Sequence, residues 1–217
     1  MQLLPYAILD MDGTLLDSSG MWDDVARDLL AQWNAVYTPR QGDDTMTMTI
    51  DGAAAYFVEQ CHLPVTPQEL AQQIRDRARD AYGTTATLKP GVREALDLMR
   101  AKGVTLCVAS GTEKPLVDAA LEKFGVLDRF AFTLSCETPQ GKAEPEVYLR
   151  AAEKLGAAPG QIMVFEDSPV AVQTARAAGF YTIGVLDEHT RPHWQEVRSN
   201  ADTTLENWTD WCAEQQV

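Results

Sequence analysis

The sequence predicts an α/β fold in which a parallel sheet carries a helical insertion. Short apolar runs alternate with amphipathic stretches along most of the chain, a pattern typical of βαβ units. From residue 18 to about residue 89 this alternation stops, and only helical periodicity remains. We therefore expect a Rossmann-like, doubly wound parallel sheet formed by residues 1–17 and 89–217, with an inserted α-helical domain at residues 18–88.

The individual elements follow from the same pattern. The predicted strands are the apolar runs Tyr6–Leu9, Val104–Ala109, Phe130–Leu134, Gln161–Phe165 and Tyr181–Val185. The predicted helices between them are Val92–Lys102, Glu113–Phe124, Glu146–Leu155 and Val170–Ala178. A glycine follows each of these helices, as is common where a helix ends. The stretch Leu205–Val217 is predicted to form a closing helix that buries Trp208 and Trp211.

The balance of charge restricts the expected partners. The 217 residues include 32 acidic and 18 basic side chains, which gives a formal net charge of −14. A field of this sign repels nucleic acid and anionic membrane surfaces, so we expect neither as a partner. The N-terminal segment lacks the basic leader of a signal peptide, and the four cysteines form no CxxC pair. We therefore expect reduced thiols and a cytoplasmic protein.

The strongest functional signal follows the first predicted strand. Asp10 and Asp12 come directly after an apolar run, and Gly13 lets the chain turn sharply. Ligands of an open parallel sheet bind at the carboxyl ends of the strands, where these carboxylates would lie. One of them can serve as nucleophile and metal ligand, and the other as proton donor and acceptor. A calcium loop is disfavoured, because its glycine would stand at position six of the motif rather than position four.

Three further motifs follow along the chain. Ser110 and Gly111 open a helix, where a hydroxyl and backbone N–H groups can hold phosphate oxygens. Lys142 precedes the next helix and can neutralise a transferring phosphoryl group. Glu166 and Asp167 end a hydrophobic strand, and such paired acids predict a bound Mg²⁺. Taken alone, the first two motifs would also fit a helix cap and a solvated lysine, so the ordered set carries the prediction.

The ordered motifs DMDGTLLD, VASGT, GK and FEDS resemble those of the haloacid dehalogenase superfamily of phosphohydrolases. More narrowly, the chain resembles the β-phosphoglucomutase-like phosphatases, which carry a helical cap inserted after the first motif. The resemblance covers nearly the whole chain. Two positions depart from the family pattern, Ala143 after the motif lysine and Ala171 after the last acids. Both affect packing rather than a chemical group.

The resemblance implies a phosphatase mechanism with assigned residues. Asp10 is expected to attack phosphorus and form an aspartyl-phosphate, and Asp12 is expected to act as general acid and base. Ser110, the Gly111 N–H group and Lys142 are expected to bind the phosphoryl oxygens.

The resemblance also implies a magnesium site. Mg²⁺ is expected to bind the Asp10 carboxylate, the Asp12 main-chain carbonyl and Asp167. Glu166 is expected to orient metal-bound water from the outer shell, and Thr14 to assist from the loop.

The expected reaction is hydrolysis of a small phosphate ester, a sugar or related monophosphate, by a monomer or weak homodimer. β-Phosphoglucomutases place a lysine and an arginine beside a cap glycine, whereas the matching segment here is Asp51-Gly52-Ala53. A second phosphate would therefore lack cationic partners. A phosphosugar mutase remains the alternative, and a non-catalytic phosphometabolite-binding protein is a further one.

Some residues outside the motifs have open roles. Trp22, just past the first motif, and Arg40 are candidate contacts for the substrate, although a solvated role is favoured for Arg40. The three histidines, His62, His189 and His193, are too scattered along the chain to predict a metal site.

Overall fold

The computed structural model describes residues 3–215 and contains a parallel sheet beside a short antiparallel pair of strands. The strands are β1 (Tyr6–Leu9), β2 (Leu16–Asp17), β3 (Thr87–Leu88), β4 (Thr105–Ser110), β5 (Thr133–Ser135), β6 (Ile162–Glu166), β7 (Tyr181–Val185) and β8 (Thr203–Leu205). The six-stranded sheet has the order β5-β4-β1-β6-β7-β8, and all of its neighbouring strands are parallel. This confirms the predicted α/β class and the parallel sheet.

Helices flank the sheet and fill the predicted insertion. They are α1 (Ser19–Ala31), α2 (Pro39–Thr45), α3 (Ile50–Cys61), α4 (Pro67–Thr84), α5 (Val92–Ala101), α6 (Lys114–Lys123), α7 (Glu146–Leu155), α8 (Pro169–Ala177), α9 (Trp194–Asn200) and α10 (Trp208–Gln215). The helices α1–α4 follow one another between β2 and β3, and we refer to residues 18–88 as the inserted helical segment. Within the described residues, no helix is both long and apolar enough to cross a bilayer.

Two helices of the inserted helical segment, α2 and α4, have well-formed N-terminal caps. Thr38 and Thr66 each cap a helix by accepting a hydrogen bond from the backbone N–H three residues later. The side chains of Gln41 and Glu69 accept a hydrogen bond from the backbone N–H of the capping threonine, which completes a capping box in both cases. A proline follows each capping threonine, at the first helical position, where its missing N–H costs no hydrogen bond. These local contacts explain why the sequence starts helices there.

The central strands lie fully inside the molecule. β1 pairs with β4 on one side and with β6 on the other. Every residue of β6 is buried, and so are all residues of β1 except Tyr6. Strands covered by helices on both faces read as continuous apolar runs. That burial is the reason these strands were recognisable from the sequence.

The short outer strands differ from the prediction. The edge strand β5 is Thr133–Ser135, which lies later in the chain than the predicted run Phe130–Leu134. The edge strand β8 (Thr203–Leu205) and the antiparallel pair β2–β3 were not predicted. Strands of two or three residues have too few side chains to give a hydrophobic period, so their pairing depends on tertiary contacts.

The closing helix is confirmed for its described part. It spans Trp208–Gln215, starts later than predicted because Leu205 belongs to β8, and the last two predicted residues lie outside the described range. Trp208 and Trp211 are buried. The Trp208 indole donates a hydrogen bond of 3.0 Å to the main-chain oxygen of Thr14 and stacks on Phe165. The C-terminal helix therefore contacts and supports the loop that follows β1.

Candidate active site

All the residues that the sequence predicts for the site meet at the carboxyl edge of the sheet. The strands β1, β4 and β6 are neighbours, so the loops that follow them lie side by side. These loops line one cavity of about 450 Å³. The cavity is lined, among others, by Asp10, Asp12, Ser110, Gly111, Lys142, Glu166 and Asp167. The structure brings these side chains together, and their individual roles stay predictions.

A tight turn after β1 presents the first two carboxylates. The Asp10 N–H donates to the Phe165 oxygen at 3.0 Å, which extends the pairing of β1 with β6 by one residue. Gly13 has a φ of 77°, a left-handed conformation that favours glycine. A Cβ at this position would also overlap the Asp167 carboxylate. Gly13 therefore allows the turn and the close approach of the two motifs.

Three buried acids surround the lysine of the third motif. Ligand oxygens of Asp10, Glu166 and Asp167 all lie within 4.8 Å of one another. The Lys142 ammonium donates to the Asp10 carboxylate, and to Glu166 at 2.5 Å. The Tyr148 hydroxyl donates to the same Glu166 oxygen at 2.7 Å. Glu166 is thus held in place by two donors that share one of its carboxylate oxygens.

The ionisation of this cluster reflects its burial. Burial, together with Glu166, raises the pKa of Asp10 well above its ordinary value, and the Lys142 ammonium opposes that rise. Burial, with Glu166 and Asp187 adding to the effect, raises the pKa of Asp167 to about 8. Burial alone would lower the pKa of the Lys142 amine, but Asp10 and Glu166 outweigh it and raise that pKa. Lys142 is therefore a permanent cation beside acids whose negative charge it only partly offsets.

The donor set of the cluster suits a hard divalent cation. Its three ligand groups are all carboxylates, and oxygen is the ligand atom that such cations prefer. One lysine cannot neutralise three ionised acids, and uncompensated buried charge is costly. A divalent cation would remove this excess, so the residues present fit the metal that the sequence predicts.

Asp12 lies in a different environment from Asp10. Its carboxylate accepts hydrogen bonds from three hydroxyl groups, those of Ser18 at 2.6 Å, Tyr82 at 2.7 Å and Thr112 at 3.0 Å. Tyr82 belongs to α4 of the inserted helical segment, whereas Thr112 follows β4. The donors that position Asp12 therefore come from both parts of the chain.

The loop after β4 forms a polar end of the cavity. Ser110 is buried, and its hydroxyl accepts a hydrogen bond from the Thr112 N–H at 3.0 Å. Lys142 lies in a single helical turn that begins with Gly141. These groups face the same cavity as Asp10, which is the arrangement expected of a phosphoryl-binding end.

The inserted helical segment docks on this polar end through backbone contacts. The Lys142 N–H donates to the Thr47 oxygen at 2.9 Å, and the Thr49 N–H donates to the Pro139 oxygen at 3.2 Å. Gly141 has a φ of 57°, and a Cβ there would overlap the Thr47 carbonyl oxygen. A Cβ on Gly52 would likewise overlap the Pro139 oxygen. Glycines on both surfaces thus permit the close approach.

The candidate substrate contacts have different outcomes. Trp22 lines the cavity and packs edge-on against Tyr82, with 6.0 Å between the ring centres. Arg40 lies within α2, pairs with Asp44 at 3.8 Å and is 89% exposed, away from the cavity. The Arg40 side chain is therefore solvated in the structure, which agrees with the interpretation favoured from the sequence.

Several site residues were not anticipated from the sequence. His189 and His193 line the cavity and pair with Asp23 and Asp43 of the inserted helical segment. Their spacing in the chain gave no sign of this, because their partners lie more than a hundred residues away. The loop that carries them follows β7, and its place at the carboxyl edge of the sheet was the available signal.

Lys89 and Asp187 form an ion pair beside the turn after β1 that was also not anticipated. The Lys89 ammonium donates to the Gly13 main-chain oxygen and contacts Asp187 at 2.8 Å. Asp187 is buried and accepts from the backbone N–H groups of His189 and Thr190. One ion pair therefore ties the turn after β1 to the loop after β7.

Comparison with known proteins agrees with this geometry. A model of the haloacid dehalogenase-like hydrolases matches residues 6–179. Hexitol phosphatase B of Escherichia coli K12 is 32% identical over 182 residues, which cover 82% of both chains. The probable pseudouridine-5'-phosphatase of Drosophila melanogaster is 28% identical and covers 97% of this chain and 92% of its own.

The fold is also found among solved structures. The crystal structure of CbbY from Rhodobacter sphaeroides in complex with phosphate superposes with a TM-score of 0.82 at 20% identity, and 95% of each chain is covered. A likeness at this identity supports the fold alone. Because the family model spans most of the sequence and one relative exceeds 30% identity over most of its length, the chain belongs to the haloacid dehalogenase-like hydrolases.

Proposed function

We propose that the chain is a Mg²⁺-dependent phosphatase that hydrolyses a small phosphorylated metabolite through an aspartyl-phosphate on Asp10. The observation that carries the proposal is a pair of carboxylates in contrasting environments. Asp10 is buried and paired with Lys142, whereas Asp12 receives its hydrogen bonds from hydroxyl groups. Such a contrast lets one carboxylate act as nucleophile and the other as general acid and base.

The two carboxylates divide the reaction into two displacements. An Asp10 oxygen attacks phosphorus, the bond from phosphorus to the alcohol oxygen breaks, and protonated Asp12 gives its proton to the leaving oxygen. The Asp12 carboxylate then takes a proton from water, which attacks the phosphorus of the aspartyl-phosphate. Inorganic phosphate leaves, and Asp10 is restored as a carboxylate. Asp12 is again protonated.

The surrounding groups hold the phosphoryl oxygens during both displacements. Lys142, the Ser110 hydroxyl and the Gly111 N–H group supply the donors at the polar end of the cavity. The ion pair with Lys142 also favours the ionised form of Asp10, which the attack requires. The same lysine thus serves the nucleophile and the transferred group.

The metal of the proposal is Mg²⁺. Asp10, the Asp12 main-chain carbonyl and Asp167 would hold it, and when bound it neutralises charge on the transferring phosphoryl group. Glu166, which Lys142 and Tyr148 already restrain, is assigned to the outer shell.

We further propose that residues 18–88 act as a cap domain over a core of residues 1–17 and 89–217. The antiparallel pair supports these boundaries, because it joins the two ends of the inserted helical segment, with Leu16 opposite Leu88 and Asp17 opposite Thr87. A two-stranded connection of this kind is short enough to serve as a hinge.

The substrate of the proposal is a sugar or related monophosphate, hydrolysed by a cytoplasmic monomer or weak homodimer. The named relatives are phosphatases of a hexitol and of pseudouridine, which supports a small phosphorylated metabolite. Among the described residues, Lys142 is the only lysine or arginine that lines the cavity, so a mutase intermediate with a second phosphate would lack a cationic partner.

The experiment that tests the proposal measures phosphate release from hexose, pentose, polyol and nucleoside monophosphates with Mg²⁺ and with EDTA. We expect Mg²⁺-dependent hydrolysis that Asp10→Asn abolishes. With β-glucose 1-phosphate the expected product is inorganic phosphate without isomerised sugar phosphate. Glucose 6-phosphate formed faster than phosphate would favour the mutase, and absence of turnover across the panel would favour the non-catalytic alternative.

A further inference from the structure

The cavity has two chemically distinct ends. Its polar end holds Lys142 and Ser110, and its other end belongs to the inserted helical segment. We call that second end the apolar wall, and it consists of Trp22, Val25, Met46, Met48 and Phe57. The whole cavity measures about 450 Å³, within the roughly 300–1,000 Å³ of sites that enclose drug-sized ligands. It offers space and apolar surface beyond what a phosphoryl group occupies.

Cationic groups are confined to the polar end. Within residues 3–215, Lys142 is the sole lysine or arginine on the cavity surface. Its ammonium is committed to Asp10 and Glu166, beside the expected position of the transferred phosphoryl group. On α4, Arg75 pairs with Asp51 and Glu113 and does not line the cavity. A second anionic group on the substrate would therefore find no free strong cation.

Two acids that line the cavity, Asp23 and Asp43, already have partners, and we call these acids and their histidines the rim. Asp23 accepts from the Tyr37 hydroxyl at 2.5 Å and pairs with His189 at 3.1 Å. Asp43 pairs with His193 at 2.9 Å. Both acids line the cavity, so the Nε2 atom of each imidazole ring is occupied by a carboxylate of the protein itself. An incoming carboxylate or phosphate at this rim would compete with Asp23 and Asp43 for the same donors.

We propose that the substrate is a phosphate monoester of an uncharged alcohol that carries a flat ring, and that the site discriminates against esters with a second anionic group. The proposal rests on the proposed function and specifies the substrate class of the same site. The ring would lie against the apolar wall, where Trp22, which is only partly buried, supplies aromatic surface. The second anionic group is disfavoured because the rim presents acids and the only strong cation is already engaged.

Two matched pairs of substrates test the two halves of the proposal. Glycerol 3-phosphate and 3-phosphoglycerate differ mainly by a carboxylate, and we expect kcat/KM to be about tenfold to a hundredfold lower for the acid, the range set by one missing charge-assisted contact. Uridine 5'-monophosphate and ribose 5-phosphate differ by an uncharged ring, and we expect at least about a tenfold advantage for the nucleotide. Equal values within either pair would overturn the proposal.

A gain of charge tests the same reasoning on the protein. Ala53 lines the cavity from α3, and Ala53→Lys places a cation at the end that has none. We expect this variant to raise kcat/KM for 3-phosphoglycerate relative to glycerol 3-phosphate by about tenfold. Ala53→Gln adds comparable bulk without charge and is the matched control. A ratio that moves equally in both variants, or in neither, contradicts the charge argument.

The outcomes separate this inference from the proposed function. If the wild-type protein with Mg²⁺ hydrolyses members of the panel but prefers the carboxylate esters or ignores the ring, the substrate class is wrong and the phosphatase stands. If no member is hydrolysed with Mg²⁺, the proposed function fails and the substrate class fails with it. Thermal unfolding of both Ala53 variants confirms that each is folded before its kinetics are compared.

Discussion

Replacing Asp167 with asparagine measures how far the acid cluster destabilises the metal-free protein. Burial, Glu166 and Asp187 raise the pKa of Asp167 from 3.8 to about 8. An acid whose pKa is raised on folding contributes stability that is complete below the unfolded value and is lost as the pH rises through the folded value. The metal-free wild-type protein should therefore lose stability between about pH 4 and pH 8. Asparagine does not titrate, so the variant should lose less stability over this range, and the loss that remains comes from other acids with raised pKa values such as Asp10.

The size of the effect follows from the same shift. Each pKa unit corresponds to about 1.4 kcal/mol, so the interval from 3.8 to pH 7 gives an upper limit of about 4 kcal/mol. The hydroxyls of Thr14 and Thr190 lie 3.3 and 3.4 Å from Asp167, and an amide replaces the carboxylate less well as their acceptor. We therefore expect the metal-free variant to be about 2–4 kcal/mol more stable at pH 7, which raises Tm by roughly 4–15 °C.

Calorimetry of both proteins after treatment with EDTA provides the measurement. The difference in Tm should be small near pH 4 and largest near pH 8. Adding Mg²⁺ at about a thousand times its Kd should cancel the difference, because a ligand at that concentration stabilises the wild-type protein by about 4.1 kcal/mol and the variant, which lacks one ligand, gains less. A variant that is less stable than wild type without metal at pH 7, or that gains as much from Mg²⁺, would refute the assignment of Asp167.

Three other substitutions test separate parts of the structure. Asp10→Asn should abolish turnover and leave cooperative unfolding intact, because an amide cannot attack phosphorus; near-normal turnover would remove Asp10 from the nucleophile role. Gly141→Ala should lower kcat/KM at least about tenfold, because its Cβ would overlap a backbone oxygen of the inserted helical segment. Gly156→Ala has a similar left-handed φ in open space and controls for backbone strain, so equal losses would contradict the docking argument. Ellman's reagent should react quickly with Cys61, which is partly exposed, and slowly with buried thiols such as Cys107. Burial raises the pKa of Cys107 to about 12, so little reactive thiolate is present. A fast phase of reaction that persists in Cys61→Ser would count against this expectation.

The sequence was sufficient to predict which polar groups share the site. In a parallel sheet the carboxyl ends of neighbouring strands meet at one edge, so acids and hydroxyls after apolar runs must converge. Asp10 and Asp167 could be placed together on that ground, since each directly follows a buried strand. Their mutual approach was predictable from connectivity because the backbone alone determines where those positions lie.

The partners that hold these groups could not be predicted in the same way. Tyr82 reaches Asp12 across 70 residues of sequence, and His189 reaches Asp23 across 166. Such contacts depend on how the inserted helical segment lies over the sheet, which no local pattern specifies. Lys89 is a similar case. The sequence shows that it follows the inserted helical segment, but no pattern in the sequence predicts its contact with the Gly13 main-chain oxygen. Side-chain partners across a packed surface are set by tertiary packing rather than by period or propensity.

Lys142 joins two properties of the site that would otherwise be independent. Its ammonium binds the Asp10 carboxylate, and its backbone N–H donates to the Thr47 oxygen of the inserted helical segment. The charge balance around Asp10 and the docking of the segment therefore depend on the position of one residue. That position requires the left-handed backbone of Gly141 directly before it. A side chain at residue 141 would displace both contacts at once, whereas one at Gly156 would strain only a helix end, and this is why their effects on catalysis should differ.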